Sequence, residues 1–348
     1  GVVIAGAERA LRHLAETLQA PVATTISGQG SIADDHPLAV GVVGSNGGTP
    51  MTRAVVEKAD TVVFVGCRAG SVTTERWRFP APGKTKIVHI DADPSVIGVN
   101  YRTDAAIVGD ARLVLDALAH AVAQRKPDLA RHTLGRSDVA AAKKEKFDVF
   151  NLLARSNEVP IRPERVVATL HDVLPDDAVI VADPGTPCPY FSAYYPQRRT
   201  GRHFISNRAH GALGYSMAAA VGASFGRPGA KVVAIMGDGS FGCTAGELET
   251  IARLKLPLTM VVISNSTYGW IKAGQRVSFG QRYFSVDFSR TDHARVAEAF
   301  GVRAWKVTEP SELRSVLAKA IEHGAPTLVD VIAQPLHEAK APVSEWIA

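Results

Sequence analysis

Short runs of β-branched and aliphatic residues alternate with helical patterns along the whole of this 348-residue chain, and that alternation limits the fold more than any other feature. The first strands read as VVIA (2–5), VATT (22–25), TVVFV (61–65), KIVHID (86–91) and a short AAIV (105–108), with helices such as GAERALRHLAETL and TPMTRAVVEKA between them. A helix, ARLVLDALAHAVAQ (111–124), closes this unit. From Ile161 the alternation resumes through the strands AVIVAD, KVVAIM, LTMVVIS, RAWKV and TLVDVIA. Strands joined by helix-long crossovers pair in parallel with a right-handed connection. The expected fold class is therefore α/β, with two doubly wound, mainly parallel sheet domains at 1–125 and 161–348. Residues 126–160 are polar, charged and free of strand signals, and read as a helical linker.

No run of about 18 apolar residues is present to span a bilayer, although hydrophobic residues make up 46% of the chain. Three cysteines (Cys67, Cys188, Cys243) form no C-x-x-C pair, and the N-terminus carries no secretory pattern, so a reducing, cytoplasmic setting is expected. The net charge of +5 comes from scattered lysines and arginines, which argues against nucleic acid and suits anionic small molecules. The chain opens at Gly1 directly on structured-looking sequence, without an initiator methionine. A processed chain, a fragment or a separately encoded subunit is expected.

In open parallel sheets ligands gather at the carboxyl ends of the strands. Asp183-Pro184-Gly185-Thr186, Gly237-Asp238-Gly239-Ser240 and Asn265-Ser266-Thr267 occupy those positions. GDGSFG formally satisfies the dinucleotide fingerprint G-x-G-x-x-G, yet an aspartate facing a pyrophosphate would repel it. The next strand ends on neutral Ser264 and Asn265 rather than a ribose-binding acid, and no lysine follows the glycines as a P-loop requires. If the two strands are parallel neighbours, about 4.8 Å apart, Asp238 and Asn265 share one ion. An aspartate carboxylate with an asparagine carbonyl suits Mg²⁺, which completes its octahedron with phosphate and water. Gly237 and Gly239 then admit the ligand backbone-close, and Ser240 donates to a phosphate oxygen. The bland alternative is a tight GDG turn and a loop asparagine.

GDG followed, after 26 residues from Asp238, by Asn265 resembles the signature of thiamine diphosphate enzymes. The whole chain resembles the central and C-terminal domains of the acetolactate synthase, pyruvate oxidase and 2-oxoacid decarboxylase family. The first part resembles it in LAETLQAPVATTISGQGSIADDHPLAVGVVGSNG, in VFVGCR and in HIDADPSVIG followed by VGD. The resemblance implies Mg²⁺ held by Asp238, Asn265 and the Thr267 carbonyl. It implies a diphosphate flanked by Gly185 and Thr186 on one side and Gly239 and Ser240 on the other. Leu213 would prop the cofactor in its bent shape, and the Gly211 carbonyl would accept from its 4′-amino group. Plain core packing is the alternative for Leu213. His210, just before Gly211, reads equally as a substrate or proton-relay group and as a structural histidine. Tyr268, Gly269, Trp270 and Ile271, in YGWIKAGQ, resemble the pocket border of pyruvate oxidases, but Ala273 and Gly274 replace the acid pair of that pattern. Gln275 reads as an exposed helix residue, and His89 as structural.

In the first domain Arg68, Asp91 and Asp93 resemble positions of FAD-binding or ADP-binding members, CoA being the further ligand of the acyl-CoA enzymes. A loop arginine and two strand-end caps are the alternative. The family's N-terminal pyrimidine-binding domain, which supplies the activating glutamate, has no counterpart in the sequence, and the active site forms between subunits. The resemblance thus implies a carboligase or lyase acting on a 2-oxoacid, working with that domain or subunit in a homodimer or tetramer. A subunit of a split decarboxylase, a pyruvate oxidase-like enzyme, a 2-hydroxyacyl-CoA lyase taking an acyl-CoA, and a non-catalytic nucleotide-binding homologue stay open beside it.

Overall fold

The computed structural model describes residues 1–125, 134–208, 210–339 and 341–344. They form two compact units. One comprises Gly1–Asp148 with Pro196–Arg202 and the residues from Val343, the other Val149–Tyr195 and His203–Pro342.

The first unit runs α1 (Glu8–Leu18), β1 (Val22–Thr24), β2 (Ala39–Val42), α2 (Pro50–Glu57), β3 (Thr61–Val65), β4 (Lys86–Asp91), β5 (Ala105–Val108), α3 (Ala111–Arg125). β1 pairs with β2, and β3, β4 and β5 form a second small sheet, every pairing being parallel. Helix α2 starts where its sequence says it should. Thr49 and Thr52 form a reciprocal capping box and Pro50 takes the first turn, where its missing N–H costs nothing. α1 packs on α3 through Ala10, Leu14, Leu115 and Ala119. The run Val2–Ala5 is not a strand: the Ala5 N–H donates to the Gly1 carbonyl at 2.9 Å, and Gly6 at φ 59° turns the chain into α1. Conversely β2 escapes a sequence reading because Gly41, at φ 94°, breaks its apolar run. Of the polar stretch 126–160, residues 126–133 lie outside the described residues; α4 (Leu134–Ala154) supplies its helical part.

The second unit holds α5 (Pro163–Val173), β6 (Val179–Ala182), α6 (Pro187–Tyr194), β7 (Phe204–Ile205), α7 (Tyr215–Gly226), β8 (Val232–Gly237) and α8 (Asp238–Thr244). It continues with α9 (Glu247–Arg253), β9 (Leu258–Ser264), α10 (Gly269–Ser278), α11 (His293–Ala299), β10 (Arg303–Val307), α12 (Leu313–Glu322) and β11 (Thr327–Ile332). The sheet is wholly parallel in the order β10-β11-β9-β8-β6-β7. Strands β6, β9 and β11 are buried at every residue, as expected of a parallel sheet covered on both faces. Met217, Leu248, Ile251 and Ala297 of α7, α9 and α11 pack on one face with Val181, Ala234, Met260 and Val262. Each such fully buried Val, Ile, Leu or Met contributes about 1.5–3 kcal/mol. From β6 the chain passes to β7 on one side, then returns across β6 to β8 and on to β9 on the other. The strand order therefore reverses between β6 and β8, the topological switch point at whose carboxyl ends open α/β sheets bind ligands in a crevice.

Candidate active site

The residues at that crevice come from four loops. Directly after β6 comes Asp183, which is fully buried; its carboxylate accepts from the Gly214 N–H at 2.8 Å, from the Ser216 N–H at 3.1 Å and from the Ser216 hydroxyl. Burial pushes this carboxyl above the ordinary aspartate range, while the Ser216, Gly214 and Ser240 donors oppose the shift. Asp183 thus ties down the loop that carries Gly211 and Leu213 where it enters α7. Gly214, at φ 83°, makes the turn, and a Cβ there would lie 2.7 Å from Thr244 Cγ2. The Leu213 side chain is 40% exposed, and its Cδ2 lies 3.2 Å from where a Gly185 Cβ would be, so the first two loops meet at these residues. His210 is exposed, with its N–H on the Asn207 side-chain oxygen at 3.3 Å. Arg208, which sequence reasoning passed over, donates to the Pro184 carbonyl at 3.0 Å and lies 5.8 Å from the Trp270 ring.

β8 and β9 are parallel neighbours, with Gly237 opposite Ile263. Asp238, the first residue of α8, therefore sits beside Asn265. Its Oδ1 accepts from the Gly239 N–H at 2.9 Å, and its Oδ2 from the Asn265 and Ser266 N–H groups at 2.7 and 2.6 Å. Ser266 reaches this position through a left-handed backbone, φ 58°. Burial raises the Asp238 carboxyl above its usual range, against the Ser266, Asn265 and Gly239 donors and the nearby His293. The Asn265 Oδ1 accepts from the Thr267 N–H at 3.3 Å, and its Nδ2 is buried with no partner among the described residues. The Thr267 carbonyl accepts from the Gly269 N–H at 2.9 Å, leaving one lone pair.

The glycines of GDGSFG divide by surroundings. Space beside Gly237 and Gly242 is open, whereas a Cβ on Gly239 would lie 2.5 Å from Tyr268 Cε1. Gly239 thus makes room for the tyrosine ring, which packs on Phe288 with centroids 5.1 Å apart. Ser240 is buried close to Asp183 and helps oppose the rise of that carboxyl's pKa. Gly269 packs between Leu336 and Thr186, bringing the fourth loop, after β9, against the first. Trp270 is half-buried and Ile271 46% exposed. Gln275 is bonded rather than free: its side chain donates to the Phe284 carbonyl at 3.2 Å and accepts from the Phe284 N–H at 3.0 Å.

In the first unit Arg68 is exposed beyond β3, and Asp91 ends the adjacent β4. Asp91 accepts from the Asp93 N–H at 3.0 Å, and Asp93 from the Ser95 N–H and hydroxyl at 2.9 and 2.6 Å, bonds that hold the Asp93 carboxyl below its usual range. Buried His89 bonds the Cys67 carbonyl at 3.0 Å.

A carboxylate offers about four lone-pair positions. Three are filled by backbone donors at Asp238, which fixes its orientation and leaves one for a cation. The orphaned Asn265 amide beside it needs an acceptor of the kind a phosphate oxygen provides. The residues fit a cation–diphosphate pair.

Two descriptions of thiamine pyrophosphate enzymes match this chain: the C-terminal TPP binding domain over residues 183–331, and the central domain over residues 1–118. The chain belongs to the thiamine pyrophosphate enzyme family. Probable acetolactate synthase large subunits from Methanocaldococcus jannaschii and Methanococcus aeolicus are 35% and 32% identical to it, each over 96% of this chain and 56% and 57% of their own lengths. The acetolactate synthase isozyme 3 large subunit of Escherichia coli is 30% identical over 92% of this chain and 55% of its own. The chain spans about half the length of the curated relatives it matches. No helix among the described residues is long and apolar enough to cross a membrane.

Proposed function

We propose that this chain carries the diphosphate- and Mg²⁺-binding part of an acetolactate synthase-like enzyme, a carboligase or lyase acting on a 2-oxoacid. One observation carries the reading. Two neighbouring parallel strands deliver a carboxylate with one coordination position left, and an orphaned buried amide, into the switch-point crevice of the sheet. Asp238, Asn265 and the Thr267 carbonyl would hold the cation. Gly185, Thr186, Gly239 and Ser240 would face the diphosphate. Leu213, on the loop that Asp183 anchors, would support the cofactor's shape, with the Gly211 carbonyl and His210 beside its aminopyrimidine. Tyr268, Gly269, Trp270 and Ile271 would line the approach. When bound, thiamine diphosphate supplies a nucleophilic carbon and an electron sink for making or breaking a carbon–carbon bond at a carbonyl. The chain's share is to fix the cofactor and exclude misaligned poses.

The reading places the cofactor domain at 161–348 and the central domain at 1–125, joined through a linker at 126–160. It includes a pyrimidine-binding domain or subunit as partner, a homo-oligomer in the cytoplasm, and a nucleotide such as FAD near Arg68, whose neighbours Asp91 and Asp93 serve as turn caps. The protein bearing this chain, given thiamine diphosphate, Mg²⁺ and pyruvate, is expected to release CO₂ and form acetolactate. Cofactor binding without turnover of any 2-oxoacid would contradict the assigned activity.

A further inference from the structure

Behind the Asn265 turn lies a polar trio that no part of the proposed chemistry uses. Ser264, the last residue of β9, gives its hydroxyl proton to Asp330 Oδ1 on the adjacent strand β11. Its oxygen then accepts from His293 Nδ1–H at 3.0 Å, and the same nitrogen lies 3.4 Å from Asp330 Oδ2. The His293 backbone N–H, opening α11, also donates to Asp330 Oδ2, at 3.2 Å. All three side chains are buried, at 4%, 5% and 0% exposure. The residue types are those of a nucleophilic triad, but the hydroxyl proton goes to the carboxylate and no substrate reaches the serine.

The trio's position is informative. The His293 ring packs edge-on against Phe241, centroids 5.1 Å apart. Phe241 lies three residues after Asp238 on α8, and Ser264 lies one residue before Asn265. One imidazole therefore touches both strand-end segments that bear the candidate cation ligands. Its own place is fixed by Asp330 and by Asp292, which caps α11 through the Arg295 N–H at 3.2 Å. Burying a hydroxyl, an imidazole and a carboxylate in an otherwise apolar layer costs free energy unless all are bonded, as they are here. Partners of this kind orient ligands and tune metal affinity.

We propose that His293, Ser264 and Asp330 are positioning residues that hold the Asn265 turn in register with Asp238 and thereby set the site's affinity for its divalent cation. The inference rests on the cation reading of Asp238 and Asn265. Mn²⁺ titration in the presence of thiamine diphosphate, followed by electron paramagnetic resonance, tests it in the full chain. His293→Leu should weaken Mn²⁺ binding about 10-fold and change the spectrum of the bound ion. His293→Asn, whose side-chain N–H stands near the Nδ1 position, should recover most of the affinity. Wild-type affinity in His293→Leu, or equal weakening in both variants, overturns the proposal, since packing alone would then explain the residue. Should His293→Leu fail to fold, Ser264→Ala carries the same expectation and the same refutation. Asp238→Ala separates the two levels. Its retention of wild-type affinity sinks the cation reading itself, whereas its loss beside a wild-type-like His293→Leu sinks this inference alone.

Discussion

Gly239→Ala is the most discriminating steric test of the crevice. A Cβ built on Gly239 lies 2.5 Å from Tyr268 Cε1, and ordinary contact begins at 3.4 Å, so the ring must retreat by at least 0.9 Å, the difference. Gly239 has no left-handed backbone to lose, and alanine favours a helix over glycine by about 1 kcal/mol. Overpacking costs about 1–3 kcal/mol, so global stability should fall by about 0–2 kcal/mol. Binding should suffer as well, because the displaced ring adjoins Thr267 at the candidate cation position. A loss of about 10-fold, or about 1.4 kcal/mol, in the affinity for thiamine diphosphate with Mg²⁺ is expected. Urea unfolding measures the first quantity and calorimetric titration the second. Gly242→Ala is the control: open space surrounds that position, so stability should rise by up to about 1 kcal/mol with affinity unchanged. Equal behaviour of the two variants would refute the claim that Tyr268 is what requires glycine at 239.

Two further perturbations address the scaffold. Gly214→Ala forces a side chain onto a φ of 83° and against Thr244, so it should destabilise by about 2–4 kcal/mol in urea unfolding and loosen the Leu213 loop. Glu164, at the start of α5, is fully buried with neither oxygen bonded among the described residues, and burial raises its carboxyl above the ordinary glutamate range. A raised acid favours the folded state below the ordinary range, and that contribution is lost as pH climbs through the raised value. Glu164→Gln should therefore be more stable than wild type at pH 8, by on the order of 1 kcal/mol, with the gap closing as the pH falls to about 4. A pH-independent difference in the urea midpoint would contradict this.

The second unit was legible because burial on both faces writes its strands as continuous aliphatic runs: KVVAIM and LTMVVIS are β8 and β9. Their adjacency follows from a helix-long crossover, and with it the meeting of Asp238 and Asn265. Val2–Ala5 misled because β-propensity is a weak preference that context overrides: of the four residues only Val2 is buried, and the run forms a turn. β7, two residues long, and α6, with two prolines among aromatics, carry too little period to read. His293 and Asp330 stand 37 residues apart and meet only because α11 starts against β11, while the β9-β11 pairing brings Ser264 to the same carboxylate. Asp330 did leave a signal, an acid interrupting the apolar run TLVDVI, since a buried strand carboxylate needs a partner. The Arg208 contacts join three loops and leave no spacing to find.

In the proposed site Asp238 holds a cation, which in turn holds a diphosphate. Calorimetric titration of thiamine diphosphate into the wild-type chain and Asp238→Ala, with Mg²⁺ and then with EDTA, tests it most directly. Saturable binding by the wild type that disappears both on chelation and in Asp238→Ala is the predicted result. Binding that survives both, or a wild type that binds equally with and without Mg²⁺, would contradict it.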